Sequence, residues 1–379
     1  MENIQVLKPY YRVDETLEQI KECLEIGWTG MGFKTIEIEK KWKEYTGHSN
    51  AYFLNSATSG LHLAFHMLKK KYGWSDGDEV ISTSFTFVST NHAIMYENLH
   101  PVFADIDDSL CLDPVEIEKK ITDKTKAVIY VGLGGNIGQY HKVVELCKKH
   151  NLKLILDAAH MAGTRFDGEI VGKEADVIVY SYQAVKNMPT ADSGMICFKE
   201  DDLDKLAREI AWLGINKDTY ARSSDKGEYK WKYDVPHVGF KYHGNSIMAA
   251  MALVSLKYLD KDNNYRRQMS TWYREYLKDV VENEKVKLIT TPKGCENSSH
   301  VFQVVIENRN EILTKLNENH IYPGVHYMLN TEYTPYLYGK DTCPKAAYYE
   351  ERILSLPLHM HMTKEDVEYV ANTLIKLVG

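Results

Sequence analysis

The strongest constraint on this chain is a series of short apolar segments separated by stretches patterned as helices. DEVISTS, PVFADID, AVIYV, KLILDA, DVIVYSY and GMICF fall between residues 78 and 198. Most are too continuously apolar to keep one face in water, so they read as strands buried on both sides. Between them, TFVSTNHAIMYEN and DPVEIEKKI read as helices, the second with Asp113 as its cap and Pro114 at its first position. Strands interleaved with helices over such a length predict an α/β fold, a mostly parallel sheet covered by helices.

The flanks extend this pattern. DETLEQIKECLEIG reads as a helix capped by Asp14 and ended by Gly27, with Leu17, Ile20 and Leu24 on one face. KTIEIEKKWKEYTG places Ile38, Trp42 and Tyr45 on a second helical stripe, and NAYFL is a short strand leading through NSATSG into the helix LHLAFHMLKKKYG. After GMICF, the charged loop KGEYKWKYDVPHVGFKYHGN leads into IMAAMALVSLKYLD, with Ile247, Met251, Val254 and Tyr258 on one side. The rhythm then changes. A large α/β domain over 1–255 and a smaller C-terminal α+β domain over 256–379 are expected, since single cores stop growing near ~250–300 residues.

Composition removes several function classes. A net charge of -7 leaves no footprint for nucleic acid or an anionic membrane. The six cysteines are scattered without a C-x-x-C pair, as expected for reduced thiols in a cytoplasmic protein. MENIQVLKPYYRVDE shows no basic region followed by an apolar stretch, so no secretory signal is expected. No apolar run approaches the ~20 residues that span a bilayer. His62 and His66 stand four apart on a helix, and His359 and His361 sit in LHMHM, but neither pair has a third ligand in view, so no metal site is expected.

Two features compete to carry the chemistry. The first is Gly132-x-Gly134-x-x-x-Gly138 after AVIYV, which with Asp157 at the next strand end is spaced like a nicotinamide-dinucleotide unit. Against it, about 130 residues of strand and helix precede the turn, and a glycine-rich strand end also serves wherever backbone passes close to a ligand. The second feature is Lys186 in SYQAVKN, between two runs expected to be buried. Desolvation would lower the pKa of its amine and suit it to covalent chemistry with a carbonyl. Asp157 and Lys186 then meet across the carboxyl ends of the sheet, where open α/β folds bind ligands.

At this point the blocks resemble a known family. EIGWTGMGFKTIEIEKKWKEYTG, LNSATSGLHLAF, DEVISTSFTFVSTNHAIMYENLHPVFADID, LILDAAHMAG, SYQAVKNMPTADSGM, GFKYHGNSIMAAMAL, YPGVHY and ILSLPL occur in the order found in the DegT–DnrJ nucleotide-sugar aminotransferases, pyridoxal phosphate (PLP) enzymes of fold type I. The resemblance covers nearly the whole chain. It implies that Lys186 bonds the cofactor and moves the substrate proton, while Asp157 pairs with the ring nitrogen. His160 would contact the ring hydroxyl and Phe87 would stack on the ring. Thr58 and Ser59 would hold the phosphate at a helix N-terminus, and Ser181, the serine of the lysine segment, would also touch it. Lys241 stands where many members carry Asn, and would reach the phosphate of a neighbouring subunit's cofactor, which implies a homodimer with shared sites.

Each residue also has an ordinary role to weigh: a helix cap for Asp157, Thr58 or Ser59, core for Phe87, a structural ring for His160, and surface charge for Lys186 or Lys241. The implied reaction moves an amino group from an amino acid, glutamate by resemblance, to a nucleotide-linked keto-deoxysugar. The product would be an amino sugar for a surface polysaccharide such as an O-antigen, or for a glycosylated metabolite. A sugar dehydratase of the same family is the first alternative, but those enzymes carry histidine where this chain has Lys186. A nicotinamide-dependent reductase is the second, and a non-catalytic regulatory member the third. Where many members read His-x-Tyr-Gly, this chain reads Gly132-Leu133-Gly134-Gly135, a departure expected to leave room near the site.

Overall fold

The computed structural model describes residues 3–216 and 233–379, so residues 226–232 of the charged loop lie outside it. Seven strands form the central sheet: β1 (Tyr52–Leu54), β2 (Glu79–Thr83), β3 (His100–Ala104), β4 (Thr125–Val131), β5 (Lys153–Asp157), β6 (Val177–Ser181) and β7 (Gly194–Phe198). Their order across the sheet is β1-β7-β6-β5-β4-β2-β3. The pairs from β6 to β3 are parallel, and β7 runs antiparallel to both of its neighbours.

Burial on both faces explains the unbroken apolar runs. Val128 and Tyr130 of β4, Leu154 and Leu156 of β5, and Ile178 and Tyr180 of β6 enter one core. The residues between them, Ala127, Ile129, Ile155, Val177 and Val179, enter the core on the opposite face. Each fully buried Ile or Leu contributes about 1.5–3 kcal/mol relative to exposure, so both faces need helical cover.

Local signals behave as the chemistry dictates at Asp113, whose side chain accepts from Val115 N at 2.9 Å with Pro114 next in the chain. Gly27 ends its helix at φ 73. Asp14 differs from expectation. The helix Val13–Ile26 begins two residues earlier, Arg12 takes the cap position, and Asp14 lies in the first turn, where a carboxylate still favours the helix dipole. The expected apolar stripe also turns outward, with Leu17 and Leu24 58% and 61% exposed.

The helix Ser246–Tyr276 passes through position 256 without a break. Its Ala249, Ala252 and Leu259 pack into the core of the large sheet, whereas Met269 and Tyr273 pack into the C-terminal core. That second core covers an antiparallel sheet of Lys287–Leu288, Phe302–Val305 and Ile353–Leu356. The N-terminal arm ties the parts together. Ile4 and Gln5 pair with Ile321 and Tyr322, Arg12 grips Asp262 at 2.9 and 2.7 Å, and Tyr11 donates to the Thr190 carbonyl at 2.9 Å. No helix among the described residues is long and apolar enough to cross a membrane.

Candidate active site

The carboxyl ends of the parallel strands open into a cavity of about 460 Å³. Asp157 ends β5 and Ser181 ends β6, so the sheet itself sets their spacing. Lys186 follows β6 in a tight loop closed by Tyr182 N to Ser193 O at 2.9 Å, Thr190 N to Tyr182 O at 2.8 Å and Lys186 N to Gln183 O at 2.8 Å. Thr58 lies in the first turn of the helix Ala57–Tyr72 that follows β1, and Phe87 follows β2. Thr58, Phe87, Asp157, His160, Ser181 and Lys186 all line this one cavity.

The two charged groups are prepared differently. Asp157 is only 4% exposed, and its oxygens accept from Thr90 Oγ1 at 2.8 Å and Ala159 N at 3.1 Å. Burial raises its pKa, opposed by those two hydrogen bonds and by the Lys186 charge. Lys186 makes no hydrogen bond or ion pair through its ammonium among the described residues. Desolvation lowers its pKa to about 8, against the pull of Asp157. The two groups form no ion pair with each other, yet each feels the other's charge across the cavity.

The remaining walls are equally specific. Phe87 is 57% exposed while its neighbour Phe85 is fully buried, so Phe87 is a free ring at the cavity and not part of the core. Ser56 caps the helix Ala57–Tyr72, its Oγ accepting from Ser59 N at 3.1 Å and its carbonyl from Gly60 N at 3.3 Å. The amides of Ala57 and Thr58 have no intrahelical acceptor and stand at the positive end of the helix, suited to an anion. His160 receives the Gly134 N–H on Nδ1 at 3.1 Å. Burial, then Lys186 and His326, hold it well below its usual pKa.

Two of the expected residues lie elsewhere. Ser59 is buried in the cap, its hydroxyl within hydrogen-bond reach of Asn55 Oδ1 at 2.7 Å and the Ser56 carbonyl at 2.8 Å, and it does not line the cavity. Lys241 is exposed, with Nζ 4.5 Å from the Trp212 ring centroid, outside the cavity of its own chain. Sequence reasoning passed over Thr90, Gln183, His326 and Tyr327. The last two come from the block YPGVHY and form the wall supplied by the C-terminal unit.

Two glycines of the turn pack against protein side chains. A Cβ at Gly132 would lie 2.0 Å from Met161 Sδ, and one at Gly138 would lie 2.4 Å from Ser109 Oγ. The room expected from the missing side chain at 132 is filled by Met161, whereas Gly134 borders a separate open cavity with Val301 and Gln303. Gly135, at φ 89, would place a Cβ 2.1 Å from Ser298 Oγ and 2.9 Å from Ser298 N. Gly135→Ala should therefore cost ~2 kcal/mol or more, combining φ strain with overpacking. Urea unfolding measures this, and a wild-type midpoint would contradict it.

No metal cluster is present among the described residues. An acid does join the histidine pair: Glu97 Oε1 lies 2.7 Å from His62 Nε2 and 3.0 Å from His66 Nδ1, direct hydrogen-bond spacing. These hydrogen bonds and the charges of both rings hold the Glu97 carboxyl down at about 2, outweighing its partial burial.

An amine and a carboxylate flanking one cavity, an open aromatic ring and a helix end suited to an anion fit pyridoxal phosphate. Comparison with known proteins agrees. The model of the DegT/DnrJ/EryC1/StrS aminotransferase family matches residues 11–375. The spore coat polysaccharide biosynthesis protein SpsC of Bacillus subtilis is 31% identical, covering 96% of this chain and 94% of that protein. PseC of Helicobacter pylori, an aminotransferase involved in the biosynthesis of pseudoaminic acid, superposes with a TM-score of 0.90 at 25% identity over 99% of both chains. The PMP form of Spr1654 from Streptococcus pneumoniae superposes with a TM-score of 0.91 at 26% identity, again over 99% of both. This chain belongs to the DegT/DnrJ/EryC1/StrS aminotransferase family, and it is an aminotransferase.

Proposed function

We propose that this enzyme transfers an amino group from glutamate to a nucleotide-linked keto-deoxysugar, with pyridoxal phosphate as cofactor and a homodimer as the working unit. The observation that carries the reading is the meeting of Lys186 and Asp157 in a cavity whose other walls suit a ring and a phosphate. The spore coat polysaccharide and pseudoaminic acid roles of the relatives support a sugar acceptor and an amino sugar for a surface polysaccharide.

When bound, pyridoxal phosphate supplies an aldehyde carbon that takes up an amine and a ring that accepts electron density. The protein supplies the rest. Lys186 Nζ, whose pKa desolvation lowers to about 8, would be the amine that bonds that carbon and, when free, would hold and move the proton of the donor's α-carbon. Asp157, its carboxylate aimed by Thr90 and Ala159, would hold a proton on the ring nitrogen. Thr58 and Ser181, with the first-turn amides, would hold the phosphate, and Phe87 would cover the ring face.

Lys241 lies away from its own cavity, so a role at a phosphate requires a second copy. The exposed apolar side chains Val13, Leu17 and Leu24 on one helix support such an association. The soluble enzymology belongs to the cytoplasm, where nucleotide-linked sugars are made. The test is to load the protein with amine from glutamate, then offer 3-keto and 4-keto nucleotide-linked sugars. Return of the visible cofactor band with one acceptor class supports the reading, and no return with any of them rejects it.

A further inference from the structure

His160 sits between two partners whose donor and acceptor roles are forced. The Gly134 backbone N–H can only donate, and it lies 3.1 Å from His160 Nδ1, so that nitrogen carries no proton. The imidazole is neutral in its buried setting, and its single proton therefore sits on Nε2. Nε2 lies 3.1 Å from Tyr327 Oη. The imidazole donates, the phenol oxygen accepts, and the proton of Tyr327 is directed elsewhere. Among the described residues no acceptor takes it.

Tyr327 lines the same cavity as Lys186 and Asp157, and its ring centroid is 5.9 Å from that of Phe87. His160 thus has both ring nitrogens engaged, while the Tyr327 phenol keeps an unspent donor on this wall, where His326 is tied through Nδ1 to Ser355 Oγ at 2.9 Å. We propose that Tyr327, and not His160, gives a hydrogen bond from this wall to a ligand oxygen, either the ring hydroxyl of pyridoxal phosphate or an oxygen of the acceptor sugar. The proposal rests on the cofactor and substrate reading above. His160 is then a positioning residue, fixing the direction of the phenol by filling its acceptor side. No proton is transferred, because burial and the Asp157 charge push the phenol's pKa up and keep it a neutral donor.

The test has two parts. Nitrogen-15 NMR of the imidazoles in the full chain should show His160 protonated at Nε2 and bare at Nδ1, and the reverse tautomer would overturn the proposal. Tyr327→Phe keeps the ring beside Phe87 and removes only the hydroxyl. If the ring hydroxyl is the partner, the dissociation constant for pyridoxal phosphate rises roughly 10–100-fold. If a sugar oxygen is the partner, the acceptor's KM rises by a similar factor and far more than the donor's. Shifts below about twofold in both would overturn the proposal. A wild-type protein that takes up no pyridoxal phosphate would instead sink the cofactor reading, while the tautomer measurement still decides the direction of the hydrogen bond. That measurement also decides it should the variant fail to fold.

Discussion

Lys186→Ala should fold, retain pyridoxal phosphate without a covalent bond, and lose transamination by roughly 10⁴-fold or more, since the bonding amine and the proton carrier vanish together. The loop around position 186 is held by backbone bonds from Tyr182, Thr190 and Ser193, none of which involves the lysine side chain, so the truncation leaves its frame intact. Steady-state transamination with glutamate measures the loss, and near-normal turnover would reject the assignment. In the wild type, uptake of the cofactor should carry the signature of a depressed amine. Desolvation places Lys186 at about 8, so the neutral, bond-forming fraction grows as pH rises through that value and then saturates. A rate of covalent capture that is flat from neutral to alkaline pH would contradict this.

Asp157→Asn should slow turnover by roughly 10²–10³-fold, the cost of removing one preorganised charge from a water-poor site. The substitution is nearly isosteric. Asp157 accepts from Ala159 N on one oxygen and from Thr90 Oγ1 on the other. Thr90 also lies 3.0 Å from Thr86 Oγ1 and can turn its hydroxyl to accept from the new amide, so folding should survive. What is lost is the negative charge that keeps a proton on the ring nitrogen. The expected signature is a lowered kcat with the cofactor still bound, read from donor-side single-turnover rates, and rates within a few fold of wild type would mean that the nitrogen has another partner.

Much of this was legible in the chain because burial on both sheet faces leaves its mark residue by residue. The runs around Val128, Ile155 and Val179 could be nothing but interior strands once their helices were seen between them. The direction of β7 was not legible, since GMICF has the same apolar character whichever way it pairs. The outward turn of Leu17 and Leu24 was hidden for a related reason: an amphipathic pattern shows that a face is apolar, not what covers it. Lys186, Asp157 and His160 could be found because one strand end and one loop carry them. Tyr327 and His326 arrive from a distant segment, and only the block YPGVHY marked where to look. At Gly132 the reading failed because a side chain missing from one segment was replaced by Met161 from another.

The central claim is that the amine of Lys186 is the one that bonds the cofactor carbonyl. Borohydride reduction of the protein loaded with pyridoxal phosphate, followed by peptide mapping by mass spectrometry, tests it most directly. The account requires loss of the visible band and a reduced cofactor adduct on the peptide carrying Lys186, one per chain. An adduct confined to Lys241 or another lysine, or none at all, would contradict it.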